Sequence, residues 1–265
     1  MTAFRLELRR ARSLAVWLAV ALAVYGGIMG HMYPVLKAND ALLTQYISTL
    51  PKGFLAAFGM TGTLSDPGIF FTTYMASWLW PIVATAAALL LGTRAVAADL
   101  DRGFLDLPLA TPVSRVRYLA TNIAAQIVVL VTLAATAILG IWLTAAATGS
   151  VFDLGAFAAA GVLAFAFACA IAGPTTLLSV MTLSRSRASG IVGGVVFGMY
   201  AVFVVTQLST EWAWMAPISA WDHFRTTALI DGGVVPVGDL VLFAVVAIAG
   251  WLGAVWAFRG RDLAA

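Results

Sequence analysis

Charge is what this sequence has least of. Asp, Glu, Lys and Arg make up 10% of its 265 residues, against 62% hydrophobic. A soluble domain carries about a quarter charged and about half apolar residues. One core cannot hold that excess, so the composition is that of an integral membrane protein. Lysine is scarcer still: Lys37 follows Leu, Lys52 follows Pro, and there is no third. A P-loop needs Gly-Lys-Ser/Thr so that its lysine reaches the phosphates, and ATP hydrolysis is therefore not expected in this chain. Cys169 is the single cysteine. It allows no intrachain disulfide and no thiolate metal cluster, and its place in an apolar run points to plain packing. His31 and His223 come with no ligand spacing and are read as surface residues without a role, contact with a partner or metal being left open. No cofactor or metal is expected in the chain, and no nucleic-acid partner.

What the sequence does have is long apolar runs. A helix crosses a bilayer core with roughly 20 apolar residues. Six stretches qualify: Leu14–Met32, Phe70–Gly92, Tyr118–Thr144, Ala156–Met181, Ala188–Gln207 and Leu240–Phe258, none containing Asp, Glu, Lys or Arg. Apolar and polar residues do not alternate in them, which argues against barrel strands. The predicted fold is all-α and polytopic, with six transmembrane helices. The start, "FRLELRRARS", is basic, but no small-residue cleavage site follows, so a secretory signal is not expected. Phe4, Leu8, Ala11 and Ala15 form one helical stripe flanked by Arg5, Arg9 and Arg12, which predicts an amphipathic helix over 1–13 lying on the inner leaflet. Residues 14–265 then form one six-span domain. No repeat or soluble domain is visible.

Six spans put both termini on one side. That side carries twelve of the fifteen Lys and Arg residues, and the other carries Lys37, Lys52 and Arg225. The positive-inside rule makes the twelve-charge side, with both termini, cytoplasmic. Two long connections then face outward. In residues 33–69, Leu43, Tyr46, Ile47 and Leu50 precede Pro51, and Phe54 and Phe58 come after it, which predicts two short interfacial helices. Residues 208–239 carry Trp212, Trp214, Trp221 and Phe224, an aromatic set suited to the headgroup layer and to an outer gate. Pro217 and Gly232-Gly233 can turn that chain back toward the membrane.

The spans lack the mid-membrane carboxylates or histidines that ion-driven transporters keep. Asn122 and Gln126, four apart in span three, and Thr175 and Thr176 in span four are the most polar interior residues, with Ser179 near them. They suit interhelical hydrogen bonding or the mildly polar lining of a cavity. Gly190, Gly194 and Gly198 in span five, and Gly26 and Gly30 in span one, permit close helix approach, within the chain or to a second copy. Pro81 and Gly173-Pro174 mark bending points.

One charged element interrupts this pattern, "DLDRGFLDLPLATPVSR" at 99–115, on the cytoplasmic side between spans two and three. It resembles the segment after span two in permease subunits of ABC-2 transporters. Asp99 and Asp101 match that family's acidic positions. Gly103, Leu105, Asp106, Leu107, Leu109, Ala110, Thr111, Pro112, Val113, Ser114 and Arg115 match the rest of its motif, whereas Phe104 replaces a Thr and Pro108 a Leu. "FRGRDL" resembles the family's ending, "MAPISAWDHFRTTALIDG" the segment before its last span, and "YPVLKANDALLTQYISTLPKGFLAAFG" one branch's outer loop.

The resemblance implies that 99–117 is a coupling helix docked on a separate ABC ATP-binding subunit. Asp99, Asp101, Arg102, Gly103, Phe104, Leu105, Asp106, Thr111, Pro112 and Arg115 would make that contact. It further implies two copies of the ATPase, which binds the ATP and Mg, and a second permease subunit, the same or a sister chain. Membrane lipid surrounds the whole in the plasma membrane. The uncharged interior favours export of a lipophilic or amphipathic compound. Two alternatives stay open: a permease serving cofactor maturation of an extracytoplasmic enzyme, and a six-span scaffold without transport.

The charge asymmetry is testable with single cysteines in a Cys169→Ala background. Cysteines at Asn39 and Asp231 should react with an impermeant thiol reagent on intact cells, and one at Ser186 should not. The opposite pattern would invert the topology.

Overall fold

The computed structural model describes residues 3–57, 60, 66–97, 114–149, 153–226 and 236–260. Every regular element among them is helical. Six helices are long and apolar enough to cross a membrane. Span one is Ala3–Ala38, span two Pro67–Arg94, span three Arg115–Ala147, span four Leu154–Thr182, span five Arg185–Leu208 and span six Val237–Arg259. Each predicted run lies inside one of them. Asp40–Ser48 and Lys52–Ala57 form the two short helices expected around Pro51.

The first span differs from expectation. Instead of a separate surface helix over 1–13, residues 3–38 form one uninterrupted helix. The cause is local: no glycine or proline occurs before Gly26 to break it. At about 1.5 Å per residue the helix is ~54 Å long, well beyond the ~30 Å hydrocarbon core.

The starts of spans two to five are fixed by side-chain caps. Ser114 accepts from the Arg117 amide, Asp153 from Gly155 and Ser184 from Arg187. Asp66 accepts from Ile69 at 3.0 Å, with Pro67 in the first turn where a missing N–H costs nothing. Span four stops at Leu183, whose φ of 50° is left-handed. Span five begins two residues later, at Arg185.

Span four is the centre of the bundle and packs on spans two, three, five and six. Small residues let its backbone close on its neighbours. A methyl built on Gly173 would lie 2.9 Å from the Cα of Ala247 in span six, and one on Gly250 would lie 2.6 Å from the Pro174 nitrogen. A methyl on Gly92 of span two would lie 2.7 Å from Thr175. Gly26 faces the backbone of Gly140 and Ile141, and Gly30 faces Thr144, so the span-one glycines serve packing against span three. Gly190, Gly194 and Gly198 are different: a methyl on any of them meets nothing within 4 Å.

Span two is not α-helical throughout. Thr72–Leu79 is a π-helix, and the Trp80 amide donates to the Met75 carbonyl five residues back. Pro81 explains it: proline lacks an N–H, and its ring crowds the carbonyl four residues earlier, so the preceding turns widen rather than break. Neighbouring spans use the altered geometry. Tyr25 of span one donates its hydroxyl to the Tyr74 carbonyl at 3.3 Å, and the Trp80 indole donates to the Ala164 carbonyl of span four at 2.9 Å.

Gly173→Val should cost about 2 kcal/mol or more, in the range of overpacked cores, because backbone rather than a flexible side chain blocks it. Gly27→Val, whose methyl meets nothing within 4 Å, should stay within about 0.5 kcal/mol of the parent. Thermal unfolding of the purified proteins followed by size exclusion separates the two.

Candidate functional site

The arginine-poor end carries a segment that turns back into the bundle. After span five ends at Leu208, a 3-10 helix spans Thr210–Ile218 and packs along span five. The Ser219 hydroxyl then donates to the Met199 carbonyl at 2.8 Å. Met199 lies nine residues before Leu208, so the chain has re-entered by about 13 Å. The Trp221 amide donates to Ser219 Oγ at 3.1 Å and stabilises the turn. Re-entrant backbone survives at membrane depth only under protein cover, and this one is covered on several sides. The Trp221 ring is 5.3 Å from Phe167 of span four and 5.3 Å from Tyr200 of span five. Phe224 stacks at 4.8 Å on Phe167, which also meets Phe243 of span six at 5.7 Å. Thr226 and Ser77, in the π stretch of span two, share a hydrogen bond of 3.1 Å.

Below this segment is a cavity of about 340 Å³, walled by spans four, five and six and roofed by Pro217–His223. Its lining is apolar except for His223 and the Trp221 indole. His223 leads to the only charged cluster described at this end of spans five and six. Its Nδ1 is 2.8 Å from Asp239 Oδ1, and its Nε2 is 3.0 Å from the Pro217 carbonyl. Arg225 lies 3.8 Å from Asp239 and 3.9 Å from Asp222. His223 is thus bonded and part-buried, not the free surface residue expected from the sequence.

The proposed gate residues divide. Trp221 lies in the roof and Phe224 packs beside it on Phe167, while Trp212 and Trp214 are exposed, Trp214 over 69% of its surface. The polar four lie elsewhere. Asn122, Gln126, Thr175 and Thr176 are all buried, and none lines the 340 Å³ cavity. Thr176 donates to Gln126 Oε1 at 3.1 Å and Gln126 Nε2 to the Leu91 carbonyl at 3.4 Å, joining spans two, three and four. Asn122 and Thr175 bond carbonyls of their own helices. Close by, Ser179 of span four donates to the Thr93 carbonyl and accepts from the Ala97 amide at the end of span two. Asp99, Asp101, Arg102, Gly103, Phe104, Leu105, Asp106, Thr111 and Pro112 lie outside the described residues. Arg115 opens span three. No group of three His, Cys, Asp or Glu residues suited to a metal ion occurs among the described residues.

Phe167, Ser77, Tyr200 and Asp239 were not predicted as part of this site. Phe167 and Tyr200 look like any aromatic residue inside a span, and nothing local marks the pairing of Ser77 with Thr226.

A family model described as ABC-2 family transporter protein matches residues 1–217. The match covers well over half of the chain, which belongs to that family as a multi-pass membrane protein with six apolar helices. No curated relative matches the chain.

Removing the Trp221 ring should loosen the roof without unfolding the spans. In hydrogen exchange of the detergent-solubilised protein, amides of 219–226 should exchange at least tenfold faster in Trp221→Ala than in the parent. Trp214→Ala should leave them unchanged.

Proposed function

We propose that this protein is the permease subunit of an ATP-driven ABC transporter that exports a lipophilic or amphipathic compound. Membership of the ABC-2 family carries this reading. The energy comes from a separate ATP-binding subunit, present in two copies and holding ATP and Mg, because the two lysines of this chain lie in no P-loop. That subunit docks on 99–117 at the cytoplasmic face of the plasma membrane, the side on which both termini also lie. Residues 14–265 work as one transmembrane domain, with 1–13 as its basic cytoplasmic start. A second permease, the same or a sister chain, completes the pathway, and the open glycine face of span five offers it a close approach.

Within the chain, bonded contacts favour transmission from the docking segment to the roof. Span two, which feeds the segment, is tied to Ser179 of span four. Span four carries Phe167, on which Trp221 and Phe224 rest. Rotation of a packed helix about its contacts moves everything seated on it, so nucleotide-driven motion at 99–117 reaches Trp221 through span four.

Asp101→Arg and Gly103→Val, combined, should leave membrane abundance normal and lower transport-linked ATPase activity of the reconstituted complex at least fivefold. Unchanged activity would remove 99–117 from the coupling path.

A further inference from the structure

We infer that the 340 Å³ cavity takes one acyl chain of an anionic phospholipid from the leaflet at the arginine-rich end of the bundle, which the charge asymmetry makes the inner leaflet. The chain enters sideways between spans five and six. Those spans share almost no contact, and Ile191 and Val195 on the span-five rim are 48% and 53% exposed. Behind the rim, Val192 and Phe243 are 6% and 2% exposed. The mouth opens on hydrocarbon rather than water, so its occupant is already dissolved in the bilayer. No polar side chain lines the cavity below the roof, which suits a methylene chain and disfavours a polar solute.

Depth selects the leaflet. Span four runs Leu154–Thr182, and its share of the lining, from Phe167 to Leu178, lies in the half toward Thr182. That share is about 16 Å long at 1.5 Å per residue, close to half of the ~30 Å hydrocarbon core and so to one leaflet. On span five, Ile191, Val192, Val195 and Val196 lie in the half toward Arg185. Span six contributes Leu242, Phe243 and Val246, near its own start, because that helix begins beside the roof, where Asp239 bonds His223. The crossing of Gly173 on Ala247 brings spans four and six into register at this level. The cavity is therefore closed toward the arginine-poor end and open along the leaflet at the other.

Charge selects the headgroup. Arg187, Ile191 and Val195 are four apart and share one face of span five, which puts Arg187 about 6 Å from the mouth on the side of the membrane surface. Arg187 is exposed, as is Arg259 at the matching end of span six, and neither is ion-paired among the described residues. The carboxylate described at this end, Glu7, bonds Arg10 of span one. A guanidinium suits a phosphate, and an ammonium beside that phosphate would be repelled, so a lipid of net negative charge is preferred over a zwitterionic one. The assignment rests on the cavity and its rim and not on the transport reading, so it is tested without ATPase or ATP.

The full chain would be reconstituted in phosphatidylethanolamine–phosphatidylglycerol vesicles containing a trace of phosphatidylglycerol with a diazirine on one chain, either near its end or near its ester. After irradiation, adducts are mapped by mass spectrometry. The chain-end probe should label the buried wall at Phe243, and the ester probe should label Ile191 at the mouth. The reversed pattern overturns the choice of leaflet. Val195→Trp, which fills the mouth, should reduce the Phe243 adducts at least fivefold and leave those on lipid-facing Phe197 unchanged. Ile191→Phe serves the same purpose if Val195→Trp does not fold. Adducts confined to lipid-facing residues, or Phe243 adducts unaffected in a folded mouth variant, overturn the site. The chain-end probe on phosphatidylethanolamine should label Phe243 at least threefold less than on phosphatidylglycerol. Equal labelling overturns the choice of headgroup. Arg187→Gln combined with Arg259→Gln should remove that difference, and a difference that persists overturns the arginine contact.

Discussion

Span four can sit at the middle of this bundle only because glycine lets its backbone touch that of span six. Gly173 and Gly250 remove the side chains at the crossing, and each faces the other helix's main chain. In hydrocarbon the hydrophobic effect gives helices no reason to associate, so close packing and interhelical hydrogen bonds must supply the cohesion. The crossing brings span four near enough for the Gln126–Thr176 and Ser179–Thr93 bonds at one end and for the Phe167 stack at the other. Both the buried polar set and the roof over the cavity therefore depend on one contact without side chains.

The π stretch of span two belongs to the same logic. Proline in a soluble helix is chiefly a loss; here the distorted stretch bonds to three other elements through side chains and one carbonyl. Tyr25 bonds the Tyr74 carbonyl, Trp80 reaches span four, and Ser77 holds Thr226 of the re-entrant segment. Each of these bonds fixes a neighbouring element against the non-α stretch.

The spans were legible because an uncharged run of twenty residues has few other solutions, and the break at Pro51 was legible because proline acts locally. The roof was partly legible. Aromatic residues and Pro217 marked the segment; Trp221 lies in the roof and Phe224 on Phe167, while Trp212 and Trp214 are exposed. Which tryptophan turns inward depends on where Ser219 meets Met199, a contact between distant stretches. The polar four were visible as polar; that they close a seam between helices depends on the rotation of span three against span two, which composition does not encode. The continuity of span one was missed because an amphipathic stripe says which face a helix buries, not whether the helix bends at the membrane surface.

Leu183 gives the joint between spans four and five an unusual stiffness. A leucine held left-handed costs roughly 1–2 kcal/mol relative to ordinary geometry, and here Thr182 and Ser184 brace it through their own hydrogen bonds. A glycine there would swivel freely. With leucine and only two residues between the helices, the elbow has fewer conformations open to it than a glycine joint would have. Span five, the least buried of the six, is thereby held close to span four at the end where the two meet.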